Sequence, residues 1–185
     1  MYTELQVTTN FTFLRGASHP EEMVDQAAKF GYSTIAITDR NSFAGIVRAH
    51  VAAKKLGMHI IPACRLDLID GPGLLAYPTD RKAYARLSAL LTLGNRRAEK
   101  GKCHLYKADV YQHKTGSWFV SVPPDALNSN YDFDVQYKIL LKEYREAFGE
   151  RLAIGAARHY NGDDAKYLHR IHQLSRQLNI PMVAT

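Results

Sequence analysis

The sequence predicts an α/β fold with a largely parallel sheet, because a helix followed directly by a short apolar strand occurs four times along the chain. Two segments show this pattern in nearly the same letters, "AAKFGYSTIAIT" and "AAKKLGMHIIPA". Two later segments repeat it, "YREAFGERLAIGAA" and "LHRIHQLSRQLNIPMVAT". Either an open sheet or a sheet closed into a barrel satisfies this alternation.

The first of these units begins with a helix between Ser18 and Gly31, followed by a strand over residues 33–38. Ser18 can cap the helix, Pro20 suits its first turn, and Glu21 would complete a capping box. The strand "STIAIT" is almost wholly apolar, which is typical of a strand that is covered on both faces.

The second unit repeats the pattern, with Ser42 as the helix cap, Gly57 as the terminator and "HIIPACRL" as one strand. The remaining segments follow from local patterns of the same kind. They are a short strand "LLAYP", a helix from Asp80 to Leu93, a basic loop over residues 94–114, a strand "SWFVSVPP" ended by its prolines, an irregular stretch over residues 125–134 and a helix from Val135 to Phe148.

The composition is that of a globular chain long enough for one domain, residues 1–185. Hydrophobic residues make up 46% of the chain, yet no apolar run approaches the roughly 18 residues that a membrane helix needs. The first residues lack the basic and apolar stretches of a signal peptide, so we expect a cytoplasmic protein. Cys64 and Cys103 have no C-x-x-C partner and are expected to be plain thiols.

The net charge of +6 makes polyanions suitable partners, and the basic loop carries much of this charge. Six Lys or Arg and two Asp or Glu lie between Gly94 and Lys114, which leaves +4 in this stretch. One interpretation is a solvated, flexible loop, and the other is a surface for nucleic-acid phosphates. The candidate contact residues are Arg96, Arg97, Lys100, Lys102 and Lys107.

In a parallel sheet the carboxyl ends of the strands lie at one edge, where α/β proteins place their functional groups. The residues predicted at this edge are Gln6, Thr8, Asp39, Arg40, Arg65, Arg158 and His159. A hydrolytic metal centre needs several His, Asp or Glu side chains, and this set offers one carboxylate and one imidazole among three arginines. Guanidinium groups cannot ligate a cation and repel it, so a multinuclear metal site is not expected.

Other patterns in the chain are weaker. His169 and His172, three apart on a predicted helix, could share a metal ion, but a role on the helix surface fits them better. No glycine-rich phosphate loop, G-x-S-x-G elbow or Cys-His arrangement is present, so nucleotide hydrolysis and acyl transfer lack support. From its residues alone, the chain is a basic α/β domain.

Over essentially its whole length, the sequence resembles the polymerase and histidinol phosphatase (PHP) domain that begins bacterial error-prone C-family DNA polymerases, which are similar to the DNA polymerase III α subunit. The resemblance runs from "YTELQVTTNFTFLRGASHP" through "STIAITDRNSFAG" and "LLTLGNRRAEKGKCHLYKADV" to "REAFGERLAIGAARHYNGDDAKYL", in the same order. It implies a PHP-type distorted (β/α)7 barrel. It also implies that this barrel is incomplete at its C-terminal end, because the chain stops where the closing elements would follow.

In the metal-binding members of this family, His, Asp and Glu ligands at the strand ends hold metal ions and hydrolyse phosphoesters, including 3′ DNA ends in some polymerases. The resemblance places those ligand positions on Gln6, Thr8, Arg15, Arg40, Arg65 and His159. Of these, only His159 is a residue type that ligates metal, and Glu4, Asp39 and Arg158 are neighbours of the altered site. The resemblance therefore implies a phosphoesterase-derived barrel that has no catalytic residues and no metal.

Two accounts of these arginines stay open. Guanidinium groups could maintain a positive centre in place of metal ions, with Glu4, Asp39 or His159 as hydrogen-bond partners. Alternatively, an unused site has drifted, and its arginines extend outward to solvent.

Three functions follow as hypotheses. The first is a non-catalytic structural domain of an error-prone DNA polymerase, which contacts the remainder of that chain, DNA or partner proteins, while the parent acts in translesion synthesis and DNA repair. The second is an active phosphoesterase or 3′–5′ proofreading exonuclease that needs Zn²⁺ or Mn²⁺. The third is a free-standing nucleic-acid-binding module that uses the basic loop.

Overall fold

The computed structural model describes residues 2–185, and the chain divides into two compact units. The first unit runs to Leu66 and includes Leu75–Pro78, and the second consists of Asp67–Leu74 and Thr79–Thr185. The assignment of the whole chain to a single domain stays a prediction. Within the described residues, no helix combines the length and the apolar content needed to cross a membrane.

The first unit alternates strands with helices, as the sequence predicts. Strands β1, β2 and β3 form a parallel sheet in that order, and β4 and β5 are neighbours. Apolar side chains between the sheet and its helices form the core, including Val7, Val24, Ile35 and Ile60. The elements are β1 (Glu4–Val7), α1 (Pro20–Lys29), β2 (Thr34–Ile37), α2 (Ile46–Leu56), β3 (His59–Pro62), β4 (Cys64–Leu66) and β5 (Leu74–Pro78).

The second unit contains a second parallel sheet, with β6, β7 and β8 in that order. The prediction of an α/β fold with parallel strands is therefore confirmed. The elements of this unit are α3 (Arg81–Arg97), α4 (Lys107–His113), β6 (Ser117–Ser121), α5 (Val135–Phe148), β7 (Leu152–Ala156), α6 (Asp164–Leu178) and β8 (Met182–Ala184).

The segment "HIIPACRL" forms two strands, β3 and β4, where the sequence predicted one. β3 pairs with β2 as far as Pro62, and Ala63 separates it from β4. Proline has no N–H to donate, so the hydrogen-bond ladder of β3 cannot continue through it. The break places Cys64 and Arg65 on a separate strand.

The N-caps of α1 and α2 differ from the predicted ones, whereas Gly57 ends α2 as predicted. Helix α1 has His19 as its N-cap, and the Glu22 carboxylate accepts a hydrogen bond from the His19 backbone N–H at 2.7 Å. The predicted partner Glu21 instead pairs with Arg48. Each prediction was close in sequence, but tertiary contacts decide which acid reaches the cap.

Helix α2 likewise begins later than its predicted cap at Ser42. Its N-cap is Gly45, and the Ser42 hydroxyl accepts a hydrogen bond from the Ala44 backbone N–H in the preceding turn. Serine side chains commonly bond the backbone two residues on, so the same residue type suits either a cap or a turn.

Helix α3 begins where the sequence predicts, and Asp80 is its N-cap, whose carboxylate accepts from the Ala83 backbone N–H at 2.7 Å. It continues to Arg97, past the predicted end at Leu93. Gly94 lies inside the helix because the chain packs closely there, and a Cβ atom would come within 2.6 Å of Cys103 and Leu105. The predicted basic loop over residues 94–114 is therefore wrong at both ends, since α4 occupies Lys107–His113.

Both cysteines are free thiols, as the sequence predicts. Cys64 is fully buried on β4. Burial raises the pKa of the Cys103 thiol, which disfavours the thiolate form that nucleophilic cysteines need.

Aromatic rings form the centre of the second unit. Phe148, at the end of α5, stacks on Phe119 with 4.3 Å between ring centroids and meets Tyr111 and Tyr144 edge-on or tilted at 5.6 Å. The Tyr144 hydroxyl donates to the Pro72 carbonyl at 2.8 Å. These rings tie α5 to β6 and α4, and Phe148 is the ring they share.

We predict that Phe148→Ala lowers the free energy of unfolding by about 3–4 kcal/mol, because it removes a buried ring and leaves a cavity. Phe148→Leu should cost about half as much. Urea denaturation followed by circular dichroism measures both changes. Phe13→Ala is the matched control, since that ring is 83% exposed and should matter by less than about 0.5 kcal/mol. Equal losses at Phe148 and Phe13 would contradict the packing described here.

Candidate functional site

Asp39 follows β2 and is the most extensively bonded buried carboxylate of the first unit, with only 1% of its surface exposed. Its Oδ1 accepts hydrogen bonds from the Thr9 backbone N–H and the Thr12 hydroxyl, each at 2.8 Å. Its Oδ2 accepts from the Thr9 hydroxyl, also at 2.8 Å. The carboxylate therefore binds the segment that follows β1 in three places.

The backbone around Asp39 closes the remaining space. Gly45 packs so tightly that a Cβ atom there would lie 2.5 Å from Asp39 Oδ2 and 3.0 Å from Thr9 Oγ1. The Thr12 hydroxyl also accepts from the Arg40 backbone N–H at 3.0 Å. We call Thr9, Thr12, Asp39 and Gly45 the Asp39 cluster. The Asp39 carboxylate is hydrogen-bonded within the protein and is shielded from solvent.

Arg40 and Arg65 occupy paired positions on adjacent extended segments. The Asn41 backbone N–H donates to the Arg65 carbonyl at 2.8 Å, and the Arg65 N–H donates to the Asp39 carbonyl at 3.1 Å. Residues paired in this way point to the same face, on strands about 4.8 Å apart. Both arginines are half-buried. Neither guanidinium group has a lone pair, so these two positions cannot supply metal ligands.

The predicted first-strand positions, Gln6 and Thr8, are half-buried on and just after β1. Glu4 is engaged at both oxygens, since Oε2 accepts from the Tyr2 hydroxyl and Oε1 from the Gln6 backbone N–H, each at 2.9 Å. Burial and the Glu4 carboxylate raise the pKa of Tyr2 to about 12. Arg15 is exposed. Glu4 is thus a local hydrogen-bond acceptor for its own strand.

His159 and Arg158 lie in the second unit, in the loop after β7. The His159 backbone N–H donates to Asp164 Oδ1 at 2.9 Å, and the His159 ring meets Tyr167 edge-on with 5.1 Å between centroids. Arg158 is exposed. The imidazole is half-buried against an aromatic ring, and its loop is held by the first carboxylate of α6.

The side chains present do not fit a bound metal ion. Throughout residues 2–185, no group of three or more His, Cys, Asp or Glu side chains is arranged to hold one. Zinc and manganese sites are built from imidazole, thiolate and carboxylate donors. In the first unit, the buried carboxylate of Asp39 is bound by three protein donors, and the adjacent residues Arg40 and Arg65 carry guanidinium groups that have no lone pair.

Three of the six cations in the basic segment over residues 94–114 are paired with acids. The Arg97 guanidinium makes two hydrogen bonds to the Asp109 carboxylate, at 2.5 and 2.9 Å, and Lys107 binds Glu143 at 2.7 Å. Lys102 pairs with Glu99 at 3.0 Å. The Arg97 hydrogen bonds hold the pKa of Asp109 below its ordinary value of 3.8.

Of the predicted nucleic-acid contacts, Arg97, Lys102 and Lys107 are therefore engaged in ion pairs within the unit. Arg96 and Lys100 are exposed. The flexible-loop interpretation is wrong for the parts of this segment that belong to α3 and α4. Of the predicted contacts, the phosphate-binding interpretation retains Arg96 and Lys100. The sequence alone could not reveal this, because Glu143 lies 36 residues beyond Lys107.

Sequence reasoning missed Thr9, Thr12 and Gly45. The letters "TTNFT" after β1 supply hydroxyl groups, but nothing local shows that they donate to an acid 27 or 30 residues away. The predicted residue Asp39 is brought together with them, and Arg40 with Arg65. The burial of Asp39, once known, is the signal that identifies the cluster.

The profile of the PHP domain family matches residues 4–159, and the chain belongs to that family. The error-prone DNA polymerase of Caulobacter vibrioides is 45% identical to this chain over 186 residues, covering the whole chain and 17% of that polymerase. The chain therefore spans less than a fifth of the length of this curated relative. The resemblance to the PHP domain of error-prone polymerases is confirmed.

Two solved structures share the fold at low sequence identity. An amidohydrolase from Chromobacterium violaceum, with bound sulfate and no metal, has a TM-score of 0.70 at 15% identity, covering 97% of this chain and 84% of its own. A protein from Bifidobacterium adolescentis, assigned as a metal-dependent phosphoesterase, has a TM-score of 0.69 at 13% identity, covering 98% and 85%. At these identities the likeness establishes the fold alone.

We predict that Asp39→Asn lowers the free energy of unfolding by about 3 kcal/mol, because an amide offers one acceptor oxygen and turns an N–H₂ group toward hydroxyl and amide donors. The measurement is urea denaturation followed by circular dichroism. Thr12 provides a matched pair of controls: Thr12→Ser keeps the hydroxyl and should cost less than about 1 kcal/mol, whereas Thr12→Val should cost about 2 kcal/mol. Equal effects of serine and valine would show that this hydroxyl is not a donor to Asp39.

We predict that Asp109→Asn destabilises the second unit by about 1.5 kcal/mol at neutral pH, because it weakens the paired bonds from Arg97. The folded-state pKa of Asp109 lies below the ordinary 3.8, so this stabilisation is present above that value and is lost as the pH falls through the folded-state pKa. Urea unfolding of both proteins across acidic pH should therefore show the difference shrinking as the pH falls. A constant difference would exclude the ion pair as its source.

Proposed function

We propose that this chain is the N-terminal PHP domain of an error-prone DNA polymerase and that its role there is structural and non-catalytic. The parent enzyme would be a cytoplasmic DNA-directed DNA polymerase that acts in translesion synthesis and DNA repair. The domain would support the remainder of that polypeptide and contact DNA or partner proteins. The whole-chain identity to a polymerase many times longer supports the parent, and the Asp39 cluster supports the structural role.

The Asp39 cluster carries the non-catalytic part of the proposal. A metal-bound carboxylate must offer lone pairs to the ion, whereas this carboxylate accepts three hydrogen bonds and is 1% exposed. Removing it from that network would leave two threonine hydroxyls and a backbone N–H without their acceptor. Asp39 thus serves to fix the segment after β1 against β2.

The arginine pair supports the view that a positive centre has replaced the metal. At an effective dielectric constant of about 20, a unit charge about 4 Å from a divalent ion opposes its binding by roughly twice 4 kcal/mol before screening. Arg40 and Arg65 are half-buried and joined through their backbones, which favours a fixed positive centre over drifted side chains in solvent. Guanidinium groups bind phosphate and carboxylate with good geometry.

One observation favours the second hypothesis, an active phosphoesterase or 3′–5′ exonuclease that uses Zn²⁺ or Mn²⁺. The fold is shared with the Bifidobacterium adolescentis protein that is assigned as a metal-dependent phosphoesterase. Fold alone does not carry chemistry, and the donors at the strand ends of the first unit differ from those that such chemistry requires.

We predict that the purified chain holds only substoichiometric metal by mass spectrometry and releases no nucleotides from a labelled 3′ DNA end in Mn²⁺ or Zn²⁺. The reason is the absence of a suitable donor set in the described residues. Because a contaminating nuclease could mimic activity, His159→Ala is assayed in parallel. Stoichiometric metal together with exonuclease activity that His159→Ala abolishes would overturn the non-catalytic role.

A further inference from the structure

A second basic surface lies in the second unit, on helix α6 and the loop before α5. Four residues with exposed or half-exposed side chains, together with Ala165, line an open groove of about 500 Å³. They are Tyr131, Lys166, His169 and Arg170. We call this surface the Tyr131 groove. Its lining includes two permanent cations and a histidine and no carboxylate.

Hydrogen bonds hold the backbone of the loop that carries Tyr131. The Arg170 Nε donates to the Tyr131 carbonyl at 2.7 Å, and the Tyr131 backbone N–H donates to the Asn128 carbonyl at 2.9 Å. The Asn128 side-chain oxygen also accepts from the backbone N–H groups of Asn130 and Asp132. Arg170 Nη1 also donates to the Gln173 side-chain oxygen at 2.8 Å. The backbone of the loop is therefore ordered before a ligand binds, which lowers the entropic cost of binding.

The Tyr131 ring is exposed to solvent and lies next to a cation. The Lys166 ammonium lies 4.0 Å from the Tyr131 ring centroid, yet Tyr131 as a whole remains 55% exposed. An exposed ring beside cations can stack with a nucleobase while the cations bind the adjoining phosphates. A neutral aromatic surface alone would suit many partners. An aromatic ring beside positive charges suits a strand that alternates bases and phosphates.

The charges around the groove preserve its sign. Asp132, which follows Tyr131 in the loop, is paired with Lys138 at 2.6 Å and also interacts electrostatically with Arg170. Asp164, the first residue of α6, accepts hydrogen bonds from the backbone N–H groups of His159 and Tyr160. Those bonds also hold Tyr160, which is 83% exposed, at the same end of α6. The basic segment over residues 94–114 differs, because three of its six cations are paired with acids.

We propose that the Tyr131 groove binds single-stranded DNA, with a base against Tyr131 and phosphates at Lys166 and Arg170. The choice of DNA as the nucleic acid rests on the proposed function. The residues that line this groove lie within residues 131–170, so they are distinct from the basic segment over residues 94–114 that the sequence predicted as a nucleic-acid contact.

The test is fluorescence anisotropy of a labelled oligothymidylate with the full chain and its variants. The wild-type affinity should fall steeply between about 50 and 200 mM salt. Lys166→Gln should weaken binding several-fold and reduce the slope of log affinity against log salt by about 0.7, as expected for one phosphate contact on a single strand. Lys100→Gln, which removes the same charge from the other surface, should leave both quantities unchanged.

Stacking is tested separately from charge. Tyr131→Leu should weaken binding about tenfold, whereas Tyr131→Phe keeps the ring and should stay within about twofold of wild type. An abasic oligonucleotide of the same length should lose the difference between leucine and phenylalanine. Circular dichroism and urea unfolding establish that each variant is folded, and Tyr131→Phe keeps the test informative if Tyr131→Leu is not.

Several outcomes would overturn the inference: no binding at low salt, equal losses from Lys166→Gln and Lys100→Gln, or abasic DNA binding as tightly as oligothymidylate. Tighter binding of oligouridylate would assign the groove to RNA instead of DNA. These results are distinguishable from failure of the proposed function. Metal-dependent exonuclease activity would overturn the non-catalytic role without affecting the groove, and loss of binding would leave that role intact.

Discussion

The burial of one carboxylate, Asp39, organises the first unit. An ionised acid removed from water is costly unless hydrogen bonds satisfy it, and here three donors from Thr9 and Thr12 do so. Because those donors follow β1 and the acid follows β2, the network joins the ends of two parallel strands. Gly45 completes the enclosure, since any larger residue would collide with the carboxylate.

That constraint explains why the strand ends of this unit resemble a catalytic edge but lack the side chains that would ligate a metal ion. An acid at the end of a buried strand can bind an ion or bind the protein, and the number of donors around it decides between these roles. Next to Asp39, the backbone pairing of Arg40 with Arg65 places two residues that cannot ligate a metal ion on one face of the edge.

Positive charge is used in two different ways in the second unit. Around α3 and α4, Arg97 and Lys107 form internal ion pairs with Asp109 and Glu143, and these pairs hold neighbouring elements together. Along α6, Lys166 and Arg170 line a groove with Tyr131 that contains no carboxylate, and Arg170 is also hydrogen-bonded to the Tyr131 carbonyl and to Gln173. Net charge alone does not distinguish these cases, because the distinction depends on which acids lie within hydrogen-bonding distance.

The sequence by itself determined the α/β class, the parallel strands, the helix Val135–Phe148 and the family, because periodicity and ordered similarity are properties of the linear chain. It also predicted Asp39, Arg40 and Arg65 at strand ends, whereas Arg65 is the central residue of β4. Only the tertiary structure decided what they do. The donors to Asp39 lie about thirty residues away, the partner of Lys107 is on another helix, and the split at Ala63 depends on which strand each half pairs with. Such contacts join residues far apart in sequence, and no local pattern encodes them.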